Sequence, residues 1–208
     1  MSSYKTIDSV CIREITVERS RFIAAAAHVE SEEAAAEFIA KKRAEFHDAR
    51  HNVFAYSLAS GISRFSDDGE PHGTAGKPIL DVVLGSGISD VCVVVTRYFG
   101  GVLLGTGGLV RAYSSAAKLA LESCDTVTML PCFEYTLRIA YSDYDYLQKT
   151  ICKYGDITDT DFSEEVAVTI AVREECEEEF LKTLEKLFYN RVKKEKKKEK
   201  IFVKIKVF

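Results

Sequence analysis

The chain has 208 residues, 47% apolar and 29% charged with three prolines, a composition that supports a packed core and lies outside the low-hydrophobicity regime of disordered segments. A net charge of −4 excludes a uniformly basic nucleic-acid-coating surface, so any RNA contact has to be local. The apolar runs are strand-length, short of the roughly 20 residues that cross a bilayer, and six scattered cysteines without a Cys-x-x-Cys pair or a preceding signal run read as reduced thiols of a soluble cytoplasmic protein, with no metal role.

In chain order, residues 6–17 and 21–27 read as extended segments. Ser31, Glu32 and Glu33 then cap a helix carrying Ala35, Phe38, Ile39 and Phe46. A strand with mixed apolar faces follows at 51–59, and a polar loop at 60–76, too long for a simple connector, is a candidate functional loop. Residues 78–84 predict a short helix, and the apolar run 91–96 a central strand buried on both faces. After a glycine-rich turn, 109–124 predicts a helix with Leu109, Ala112, Ala116, Leu119 and Ala120 inward.

The pattern changes after Pro131. Alternation at 133–140 predicts a strand with Phe133, Tyr135, Leu137 and Ile139 on one face. Ser142 and Asp143 supply N-cap chemistry for a helix with Tyr146, Leu147, Ile151 and Tyr154, ended by Gly155. Strands at 156–162 and 166–172 form an expected hairpin around Ser163, Glu164 and Glu165. Acids at 174–179 suit a helix start whose stripe is Phe180, Leu181, Leu184, Leu187 and Phe188. A last strand at 200–208 places Ile201, Val203, Ile205 and Val207 on one face. The order βαββαβ is that of ferredoxin-like domains, so the chain is expected to be α+β with domains at 1–131 and 132–208. Residues 191–200 hold seven basic against two acidic side chains, read as a solvated turn or a local nucleic-acid contact.

Three polar segments carry the candidate chemistry: 47–51, 64–78 and 96–111. Asp67, Asp68, Glu70 and His72 can hold a magnesium ion or activate a water, or else serve as turn residues with Glu70 and Asp68 paired to Arg97 or Arg111. The glycines follow a buried strand and precede a helix, which suits an anion assisted by Arg97 and Arg111, or simply tight turns. Nucleotide fingerprints fail: Pro71 and Pro78 occupy positions a Walker A loop needs, and Val110 stands where a dinucleotide turn needs its last glycine. His47 and His51 lack a third zinc ligand, Ser114 and Ser115 make no nucleophile elbow, and Tyr56, Tyr98 and Phe99 either stack bases or pack in the core.

Those segments are also where a family resemblance lies. Phe65-Ser-Asp-Asp-Gly-Glu-Pro-His-Gly-Thr-Ala-Gly-Lys-Pro-Ile-Leu80, Val93-Val-Val-Thr-Arg-Tyr-Phe-Gly-Gly101 and Leu104-Gly-Thr-Gly-Gly-Leu-Val-Arg-Ala-Tyr113 resemble the signature of the YigZ/IMPACT family, supported by Ser20-Arg-Phe-Ile23 and by the stretch from His51 to Tyr56. The resemblance implies a first domain similar to the second domain of small-subunit ribosomal protein five and a second similar to the ferredoxin-like last domain of elongation factor G. Eukaryotic members regulate translation by binding the activator of an initiation-factor kinase, so RNA, the ribosome or a translation-control protein is the implied partner. The expected binding set is Asp67, Asp68, Glu70, His72, Thr74, Lys77, Arg97, Tyr98, Gly100, Gly101, Gly107, Gly108 and Arg111, with no cofactor. A metal-assisted phosphate hydrolase using Asp67, Asp68 and Glu70 is the alternative.

Overall fold

Alternation in one strand organises the first half of the molecule. In the computed structural model, which describes residues 3–189 and 191–205, the run Val91, Val93, Val95 faces one layer of helices while Cys92 and Val94 face another. The chain divides into two compact units, Tyr4–Thr128 and a second that continues from Met129.

The first unit contains β1 (Tyr4–Ile7), β2 (Cys11–Val17), β3 (Ser20–His28), α1 (Glu32–Glu45), β4 (His51–Ser57), β5 (Ser63–Ser66), α2 (Gly76–Gly85), β6 (Val91–Tyr98) and α3 (Gly105–Glu122). Its sheet runs β2-β3-β6-β4-β5 with antiparallel neighbours throughout. On one face Phe22, Ala24, Val53, Val93 and Val95 pack against Ile79 and Val83 of α2 and Leu109, Tyr113 and Ala116 of α3. On the other, Tyr56, Cys92 and Val94 pack against Ala35 and Ile39 of α1. The result is a three-layer unit with a central strand buried on both sides.

Ser31 caps α1, its hydroxyl accepting from the Ala34 amide at 3.2 Å, as the sequence predicts. Two expectations need correction. The segment expected to be loop at 60–76 contains β5, paired to the edge of β4 from Phe54↔Ser66 to Ser57↔Ser63. The glycine-rich turn is shorter than expected, because α3 already begins at Gly105.

The second unit takes up β7 (Thr126–Ile139), α4 (Tyr141–Ile151), β8 (Gly155–Phe162), β9 (Val166–Arg173), α5 (Glu177–Phe188) and β10 (Lys193–Ile205), the order βαββαβ, with one 3-10 turn before α5. Its strands lie β8-β9-β7-β10. Tyr135↔Ile170, Leu137↔Val168 and Ile139↔Val166 pair across β7 and β9, and these side chains share a core with Leu147, Ile151, Phe180, Leu184 and Phe188. Ser142 and Asp143 fall inside α4 rather than capping it, since its N-cap is Ala140. The basic run expected as a turn is strand instead, β10 beginning at Lys193. Val207, on the expected face of that strand, lies outside the described residues.

Candidate functional site

Period-2 alternation carries Arg97 inward. Val91, Val93 and Val95 point at α2 and α3, so the next odd position of β6 does too, between Phe22 of β3 and His51 of β4. A buried guanidinium needs a counter-charge, and Glu70 supplies it: Arg97 Nη1 donates to Glu70 Oε1 at 2.7 Å, with side-chain exposures of 7% and 3%. The Tyr113 hydroxyl donates to the same oxygen at 2.8 Å. Burial, and then the charge of Glu70, push that phenol far above its ordinary range, so it stays protonated as a donor. The guanidinium lies between the rings of Phe22 and Phe99, 5.5 and 5.6 Å from their centroids. Its Nη2 reaches Ser20 Oγ at 3.5 Å, while the buried Nε finds no hydrogen-bond partner among the described residues.

Around this pair the acidic loop is tied inward. Asp67 accepts from the backbone amides of Gly73, Ala75 and Gly76 at 2.8, 3.1 and 2.8 Å, saturating the start of α2 where Ala75 offers no side-chain cap. That helix end is therefore occupied by the protein's own carboxylate. Asp68 accepts from Arg43 and from the Asn52 amide, both at 2.7 Å, and its carbonyl lies 2.8 Å from His51 Nδ1. Of the two pairings expected for the loop acids, Glu70 meets Arg97, whereas Asp68 meets Arg43 rather than Arg97 or Arg111. Among the described residues no group of three His, Cys, Asp or Glu side chains is placed to hold a metal ion.

The remaining expected residues separate. Thr74 is buried, its hydroxyl donating to the Pro71 carbonyl at 2.7 Å. His72 is fully exposed, 3.8 Å from Asp67, and Lys77 pairs with Asp81 along α2. Tyr98 is half-buried and donates to Asp48 at 2.6 Å, with Arg21 over its ring at 5.4 Å. Tyr56 is core, leaving Phe99 the exposed member of the three candidate stacking aromatics. Gly100 is where the backbone needs glycine: a Cβ there would lie 2.0 Å from the carbonyl carbon of Arg19, and its amide donates to Ser20 Oγ at 3.2 Å. Arg19 and Glu18 form the β2–β3 turn with φ of 65° and 46°. Gly101 and Gly107 are exposed and Gly108 packs on Leu104.

Arg111 is exposed, and among the described residues it makes no hydrogen bond or ion pair. It lines an open groove of about 370 Å³ with Val17, Glu18, Val102, Leu103 and Leu104. Leu103 is 87% exposed, with Phe99, Val102 and Val110 also on the surface. The expected binding set is thus split: Glu70, Thr74 and Arg97 lie inside, beneath an apolar rim that carries Arg111. Sequence reasoning missed Ser20 and Tyr113 as members of the network, although both fall in the motif segments, and it missed the exposed apolar residues altogether.

The architecture defines a class, a mixed α/β protein of two units whose first is braced by a buried Arg–Glu–Tyr cluster. The model of the Impact N-terminal domain matches residues 18–121, and the chain belongs to the IMPACT family. The IMPACT family member YigZ of Escherichia coli is 40% identical over 161 residues, covering 75% of this chain and 79% of that protein. A crystal structure of a hypothetical protein superposes with a TM-score of 0.68 at 35% identity, covering 93% of this chain and 97% of the other. The two-domain translational regulator Yih1 overlaps 56% of this chain and 48% of its own at 27% identity, with a TM-score of 0.38 that carries no structural weight. Among the described residues no helix is long and apolar enough to cross a membrane.

Proposed function

We propose that this chain is a translation-linked binding protein of the cytoplasm, and that its contact surface is the rim running from Phe99 to Arg111. Family membership supports the link to translation, and one observation supports the surface: Leu103 stands 87% exposed beside an unpaired Arg111, above a network that holds the rim's base rigid. Apolar side chains with a flanking arginine are the composition of protein contact sites, so a translation-control or ribosomal protein fits better than bare RNA phosphate. Asp67, Asp68, Glu70, Thr74 and Arg97 act in this reading as the scaffold of the rim. Gly100, Gly101, Gly107 and Gly108 shape its backbone, and Tyr98 adjoins it in the chain.

The two units correspond in this proposal to domains 1–131 and 132–208, the first like the second domain of ribosomal protein five and the second ferredoxin-like. The strand order β8-β9-β7-β10 supports the latter assignment. Co-sedimentation with purified ribosomes, with and without ribonuclease, tests the function. Leu103→Ser and Arg111→Glu should each weaken association by about tenfold or more while leaving the unfolding midpoint unchanged. Association equal to the parent's in both variants sinks the rim as the contact. Loss of all association after ribonuclease would move the partner from protein to RNA.

A further inference from the structure

Two of the six cysteines converge at the end of α3, outside the network just described. Cys11 opens β2, is half-buried, and its thiol points at the Ser123 carbonyl at 3.7 Å. Cys124 follows the C-cap of α3, is 8% exposed, and donates to the Ala120 carbonyl at 3.2 Å. Cys11 packs against the core cluster to which Cys124 belongs, and its thiol lies against the carbonyl of Ser123, the residue next to Cys124 in the chain. Both are free in the structure.

Their environments differ in a way that assigns roles. Burial, and then the neighbouring Cys11 thiol, push the Cys124 thiol up to about 12, with Arg13 opposing that shift, so at neutral pH Cys124 is held as a thiol, suited to resolve an oxidised Cys11 rather than to meet the peroxide first. Cys11 is the sulfur that small reagents reach first. Cys124 also lines an open cavity of about 610 Å³ with Val82, Ile88 and Leu121, roomy enough for a small oxidant.

We propose that Cys11 and Cys124 form an oxidant-sensitive pair that closes to a disulfide when the protein meets a hydroperoxide. In the first step the Cys11 sulfur attacks the peroxide O–O bond; the sulfur is oxidised to sulfenic acid, and hydrogen peroxide is reduced to water, which takes up the thiol proton. In the second, the Cys124 sulfur bonds to the Cys11 sulfur and displaces its hydroxyl, which leaves as water with the Cys124 proton. Two thiols and one peroxide thus give one disulfide and two waters. The bond ties the start of β2 to the end of α3 and closes a loop over most of the first unit, and a dithiol reductant reverses it.

The experiment is exposure of the full-length chain to hydrogen peroxide, followed by peptide mapping without reduction. The expected result is a monomer that has lost two of its six thiols, one cross-linked peptide pair holding Cys11 and Cys124, and a raised thermal midpoint, all reversed by dithiothreitol. Cys11→Ser should abolish the cross-link and leave Cys124 unmodified. Cys124→Ala should leave Cys11 trapped as a sulfenic acid that dimedone labels. Over-oxidation of Cys11 in the parent chain with Cys124 still a thiol, or cross-linking through Cys152 or Cys176 instead, overturns the proposal.

Discussion

The buried ion pair of the first unit and the lysine-rich strand of the second behave in opposite ways. Arg97 and Glu70 are each under a tenth exposed and satisfy one another inside the first unit, with Tyr113 completing the cluster. Lys193, Lys194, Lys196 and Lys197 of β10 lie at the surface of the second unit, where Lys194 is 3.2 Å from Glu185, Lys193 is 4.0 Å from Glu165, and Lys196 and Lys197 pair with Glu177 and Glu134. A lone arginine and glutamate, 27 positions apart, therefore matter more to the fold than a run of lysines. The difference is solvent: a desolvated charge stripped of its partner is left with a large penalty, whereas an exposed one is rescued by water and salt.

The sharpest way to break that comparison is to remove one member of the buried pair. Arg97→Ala leaves Glu70 buried without its counter-charge, and Glu70→Gln leaves Arg97 without one. Each should lower stability by about 3–5 kcal/mol, read as a fall in the urea midpoint. The double variant Arg97→Leu with Glu70→Leu should recover much of that loss, because it buries no charge. A double as unstable as the sum of the singles would mean that the pair contributes shape rather than charge balance.

A smaller effect tests how the pair is covered. Gly100 packs so tightly on the β2–β3 turn that any Cβ meets the Arg19 carbonyl carbon at 2.0 Å, and the same segment presents Phe99 to the Arg97 guanidinium. Gly100→Ala should cost about 1–3 kcal/mol, by thermal unfolding, through displacement of that segment. Gly107 sits in the first turns of α3, where an added Cβ meets nothing closer than Arg111 Nη1 at 3.7 Å. Gly107→Ala should therefore stabilise, by up to about 1 kcal/mol.

Much of the framework was legible in the sequence because alternation and helical spacing are local. Leu137, Ile139, Val166 and Val168 announce their shared face, and Ser31 announces its helix. The short strand β5 was not legible: Ser63–Ser66 lacks an apolar run and exists because β4 offers an edge to pair with. The burial of Arg97 was hidden for a different reason. The apolar run from Val91 masks its own parity, and the choice of face for the next odd residue depends on which helices cover the sheet. The pairing of Asp68 with Arg43, which lies on α1, is likewise a product of tertiary placement that spacing does not contain.

Lys196 gives the mildest and most discriminating test of the exposed side of the comparison. Its ammonium pairs with Glu177 and sits 3.5 Å from the centroid of the Phe133 ring, while the side chain remains 39% exposed. Charge and stem are separable there. Lys196→Met keeps an unbranched apolar side chain of similar length beside Phe133 and removes the charge, so it should shift stability by less than about 1 kcal/mol, an effect that shrinks further as salt is raised. Lys196→Ala also removes the stem and should be the more destabilising of the two, with a difference from Met that salt does not change. Equal, large and salt-sensitive losses in both variants would place the contribution of β10 in its charges and overturn the claim that exposure, and not sequence clustering, decides what a charge is worth in this protein.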